Sequence, residues 1–85
     1  MFIAIEHEIH DPEAFQEGAQ RVYPLPEGLR VHQLLPARDL SRGFCLFEAP
    51  SVDQVRDYID GRLGVASTQR YFPVAEDGAI GLPGV

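Results

Sequence analysis

The chain contains no Lys and no Trp, one Met and one Cys, and no long apolar run. Each absence removes a class of protein. Without Lys, seven Arg are the whole basic complement against 13 Asp and Glu, and the net charge of −6 repels phosphate backbones and anionic lipid surfaces. A nucleic-acid partner is not expected. The single Cys45 has no second Cys with which to close a disulfide inside the chain. The missing Trp and lone Met argue against an aromatic-rich binding surface or a Met-rich groove. The opening "MFIAIEHEIH" carries acidic residues where a secretory leader needs a basic segment and then a long apolar one. No stretch approaches the roughly 20 apolar residues that cross a bilayer. These features predict a reducing, cytoplasmic setting and no membrane partner.

What is present suffices for one domain. The 85 residues are 45% hydrophobic, an ordinary globular fraction. A chain this short buries only a little over roughly 60% of the surface its unfolded form exposes, which favours self-association.

Phe2 to Ile9 sets Ile3, Ile5 and Ile9 on one face and Ala4, Glu6 and Glu8 on the other, the period of a half-buried strand. Asp11 then offers a cap and Pro12 suits a first helical position, where its missing donor costs nothing. Phe15, Ala19 and Val22 repeat at helical spacing until Pro24 and Pro26 end the run. Leu29 to Leu35 reads as a second strand and Phe44 to Glu48 as a third, joined as a hairpin through the polar stretch Pro36 to Gly43. Pro50 and Ser51 interrupt, and Ser51 with Gln54 is spaced as a capping box. Val52, Val55, Ile59 and Leu63 give the second helix one apolar stripe, with Gly61 or Gly64 as a left-handed exit. Gln69 to Ala75 is the fourth strand.

The order strand, helix, strand, strand, helix, strand is the α+β, ferredoxin-like arrangement. It predicts a four-stranded antiparallel sheet with both helices on one face, over residues 1–76, and a Gly- and Pro-containing tail without regular structure over 77–85. The other sheet face needs a cover. Phe44, Leu46 and Phe47 point apolar side chains both ways from the third strand, so a second copy of the sheet is the expected cover, in a homodimer.

"FCLFEAPSVDQVRDYID" resembles the segment that joins third strand to second helix in an uncharacterised family of small ferredoxin-like proteins, whose best-known type is a dimeric nickel-binding protein. The likeness is sharpest over Phe44 to Ile59. It implies a dimeric α+β barrel and a divalent transition metal such as nickel or zinc. The same barrel shape also occurs in cofactor-free oxygenases and stress-response proteins, so fold alone does not choose between roles.

The candidate donors follow from residue chemistry. "EHEIHD", Glu6 to Asp11, concentrates carboxylates and imidazoles of the kind nickel, zinc or iron accept. Period two places Glu6, Glu8 and His10 together and His7 opposite, so the whole cluster does not converge on one ion; its plainer reading is a solvated strand end. His32, mid-strand, is a metal ligand or the base of a small enzyme, or else a half-exposed edge histidine. The predicted metal set is Glu6, His32, Glu8 and His10. Cys45 reads first as a buried small hydrophobe, second as a soft ligand or reactive thiol. Tyr58 and Tyr71 read as packing residues, and Arg70 as a surface partner for acidic groups. Three functions stay open: a dimeric metal-binding protein, a cofactor-free oxygenase or isomerase with an apolar pocket and His32 as base, and a purely structural partner.

Overall fold

Strand β1, Phe2–Ile9, leads into helix α1, Pro12–Gln20, and then into β2, Arg30–Pro36, and β3, Arg42–Glu48. Helix α2, Val52–Leu63, and β4, Ser67–Pro73, complete the set. The computed structural model describes residues 1–83. The strands form one antiparallel sheet in the order β2-β3-β1-β4, the ferredoxin-like α+β arrangement expected from the element order.

Local signals account for the helix starts. Asp11 accepts a hydrogen bond from the Ala14 backbone N–H at 3.2 Å, with Pro12 at the first helical position. Ser51 accepts from the Gln54 N–H at 3.2 Å, which is the first half of the capping box. The exits differ from the expectation. Gly64 follows α2 at φ −63°, in right-handed geometry, and its N–H bonds the Asp60 carbonyl at 2.9 Å; Gly61 lies inside the helix. Its lack of a side chain still matters at Gly64, where a Cβ would sit 2.6 Å from the Asp60 oxygen.

Strand limits shift by one or two residues from the apolar pattern because pairing is a backbone property. Arg42 and Gly43 extend β3 through the pairs Pro36↔Gly43 and Glu8↔Arg42, and Ser67 opens β4 opposite Ile9. The tail is not wholly irregular, since Glu76–Gly78 forms one 3-10 turn closed by Gly78 N–H to Ala75 O at 3.1 Å. The part of that expected tail at 84–85 lies outside the described residues.

The two faces of the sheet have different fates. Ile3, Ile5, Ile9, Cys45 and Phe47 join Phe15, Val55, Ile59 and Leu63 in one core between sheet and helices. On the outer face, Phe2, Ala4 and Leu46 are buried at the centre, while Leu35 and Phe72 remain 58% and 44% exposed. The register of β2 on β3 passes from Val31↔Phe47 directly to Gln33↔Leu46, so His32 is a bulged residue.

Candidate functional site

The outer face holds the first group of polar residues. At the bulge, His32 Nε2 lies 2.8 Å from Glu48 Oε1, and its ring meets Phe2 with centroids 5.5 Å apart. The hydrogen bond from His32 holds the Glu48 carboxyl below the usual carboxylate range. His10 lies elsewhere, with Nε2 2.9 Å from Thr68 Oγ1 and Nδ1 4.0 Å from Glu8.

The four expected metal donors therefore do not converge. Phe2 pairs with Glu48 and Glu6 with Phe44, so the His32 end and the Glu6 end of β1 stand about 13 Å apart at the rise of a strand. Among the described residues no three His, Cys, Asp or Glu side chains gather as a metal site. Glu6 and His32 share the outer sheet face, but position along the strand separates them.

Near Glu6 and Glu8 the outer face forms an open depression of about 550 Å³, bordered also by Arg42, Arg70, Phe44 and Leu35. Glu6 is opposite Arg70 and Glu8 opposite Arg42 in the ladder. Among the described residues neither Arg is in an ion pair; the pairs formed are Glu8 with His10, Glu48 with His32 and Asp53 with Arg56.

The inner face contains a constellation that the sequence reading missed. His7 is 3% exposed and Cys45 7%, and His7 Nε2 lies 3.2 Å from the Cys45 Sγ. His7 Nδ1 lies 3.2 Å from Gln69 Oε1, and Gln69 Nε2 donates to Asp60 Oδ1 at 3.1 Å. Tyr71 also donates to Asp60, at 2.6 Å, and its burial, reinforced by this bond and the Asp60 charge, raises its phenol pKa. Strand register builds this row: His7 pairs with Gln69 on β4, and Ile5 with Cys45 on β3. The signal was in the sequence, because His7 has the same parity as Ile3, Ile5 and Ile9, and so faces the core with them.

Between this row and α1 lies a cleft of about 40 Å³, lined by His7 and Cys45 together with Phe15, Phe47 and Leu63, and with Tyr23 and Leu34 on its rim. That volume holds something the size of a water molecule. His32 does not border this cleft, because it lies on the opposite face of the sheet with Glu48 and Phe2.

Burial lowers the His7 pKa from its ordinary 6.5, with the Gln69 hydrogen bond opposing in part. Burial pushes the Cys45 thiol up to about 12. The lowered imidazole pKa has a sign. As pH falls below 6.5 the unfolded chain takes up a proton that folded His7 refuses, so stability drops on acidification and is fully present above that pH. Each pH unit between the two pKa values is worth about 1.4 kcal/mol. The groups around His7 are Cys45 from β3, Gln69 from β4 and Phe15 from α1, with Asp60 beyond Gln69. Thermal melts of wild type and His7→Gln across this window should show the steeper acid loss in wild type, and equal slopes would contradict the assignment.

No protein-family model and no curated protein matches this chain. Fold and geometry define its class: a small α+β protein with a ferredoxin-like sheet, a mixed-charge outer face and a buried thiol–imidazole row. No helix among the described residues is long and apolar enough to cross a membrane.

Proposed function

We propose that the protein is a cytoplasmic homodimer joined through the outer sheet faces, which binds a divalent transition metal of the nickel or zinc kind between the two copies. The observation that carries this reading is the His32–Glu48 pair at 2.8 Å, on a face that also exposes Leu35 and Phe72. One protomer offers two donors where zinc takes four, and a two-fold axis supplies the same two again. Charge favours a second copy over other partners. A self-complementary patch needs both signs, and Glu6 and Glu8 beside Arg42 and Arg70, which form no ion pair among the described residues, provide them. The net charge of −6 disfavours nucleic acid, and a single free Cys45 suits a reducing compartment. Glu6, Glu8 and His10 have no place in this metal set.

The test joins assembly and ligand. Light scattering at micromolar concentration is expected to give a dimer, and a monomer would remove the reading. Nickel, zinc, cobalt and copper are then titrated in thermal melts of wild type and His32→Ala. At a hundredfold excess over Kd a ligand adds about 2.7 kcal/mol to the native state, a Tm rise of roughly 10–20 °C for a domain this size. The rise should vanish in His32→Ala; no rise with any of the four metals would sink the metal half of the proposal.

A further inference from the structure

We propose that Cys45, His7 and Gln69 form a nucleophile, base and orienting group at the foot of the apolar cleft, and that the site reacts with a small uncharged peroxide, hydrogen peroxide being the simplest. The inference stands apart from the dimer and the metal, because it uses only the inner face of one chain.

Hydrogen bonding settles the direction of the row. Asp60 as a carboxylate only accepts, so the amide nitrogen of Gln69 points to it and the amide oxygen points to His7. Gln69 Oε1 then accepts from His7 Nδ1–H, which leaves Nε2 with its lone pair toward the Cys45 thiol. That is the tautomer a general base needs, held by a third group as in other nucleophile–base–orienter sets. Asp60, on the exposed side of α2 next to the core residue Ile59, thus orients the His7 ring through Gln69.

The cleft gives the row an approach from solvent. Tyr23 and Leu34, both about half exposed, stand at its rim, and the remaining walls are apolar. A volume of about 40 Å³ accepts a molecule of water or peroxide size and refuses a bulky thiol reagent. Apolar walls also refuse ions. At rest both groups are neutral, the thiol pushed up to about 12 and the imidazole pKa lowered by the same burial. The proton therefore moves as sulfur attacks, not before.

In the reaction His7 Nε2 takes the thiol proton while the sulfur lone pair attacks one peroxide oxygen. The S–O bond forms as the O–O bond breaks, and the departing hydroxide takes the proton from His7 as water. Sulfur is oxidised by two electrons to the sulfenic acid, and peroxide is reduced to water.

The experiment exposes folded protein to hydrogen peroxide, quenches it, and follows the gain of one oxygen on Cys45 by mass spectrometry. Wild type should react with a rate proportional to peroxide, while a bulky, charged disulfide reagent leaves the folded thiol unlabelled. His7→Gln should slow oxidation about a hundredfold, within the range of general-base contributions. Because a core substitution can disturb folding, Asp60→Ala serves as the second variant: Asp60 is exposed, its circular dichroism should match wild type, and its oxidation should slow several-fold as Gln69 loses its anchor. Equal oxidation rates in wild type and Asp60→Ala would overturn the proposal. So would a wild-type rate that the bulky reagent matches, since that would place the chemistry in the unfolded chain.

Discussion

Replacing Phe47 by Ala is expected to remove about 3–5 kcal/mol of stability. Phe47 is 2% exposed and sits on β3, the strand between β1 and β2, with Ile3 and Val31 as its ladder partners. Deleting the ring strips contacts from both neighbours and from the helix side of the core at once, and a sheet pinned on both sides relaxes little into the gap. For a domain whose total stability is about 5–15 kcal/mol, that is a large share. Urea unfolding should show the midpoint falling with little change in slope. A loss under about 1 kcal/mol would mean that the helices settle onto the sheet and close the space. The same deletion widens the cleft beside Cys45, so access to the thiol should increase even where the fold survives.

The second large effect is a change of sign between two glycines. Gly18 in α1 faces α2 so closely that a Cβ would lie 2.5 Å from the Arg62 carbonyl oxygen and 2.8 Å from Leu63 Cδ2. The first of these is backbone and cannot swing aside, so Gly18→Ala must push the helices apart, at a cost of about 1–3 kcal/mol. Gly61, inside α2, has nothing within 4 Å of the same added atom. Gly61→Ala should stabilise by about 0.4–1 kcal/mol, because it removes freedom from the unfolded chain and favours the helix. Melting temperatures of the two variants are expected on opposite sides of wild type. Both falling on the same side would show that helix contact does not decide the outcome at Gly18.

Much of the fold was legible because local rules and tertiary packing agree. The alternation of Ile3, Ile5 and Ile9, the Asp11 cap and the Val55, Ile59, Leu63 stripe each name an element, and each is buried or capped as its pattern requires. The exit from α2 was misread, since Gly64 is needed for closeness to Asp60 and not for a left-handed turn. The candidate site was less legible. Residue type drew attention to Glu6, Glu8, His10 and His32, yet a ligand set depends on which strands are neighbours and in what register. That register sends His32 to Glu48 and His10 to Thr68. It also aligns His7 with Gln69 and Cys45, which lie 62 and 38 positions from it in the chain. No local pattern announces such a row, though the inward parity of His7 was there to be read.

The bulge in β2 makes His32 a supernumerary member of its ladder. Arg30 and Val31 before it and Gln33 and Leu34 after it keep the facing that an uninterrupted strand would give them. The imidazole is thus an insertion that can be gained or lost by a single codon without turning any neighbouring side chain over. A lineage of such chains could acquire or discard this group while leaving the rest of the architecture untouched.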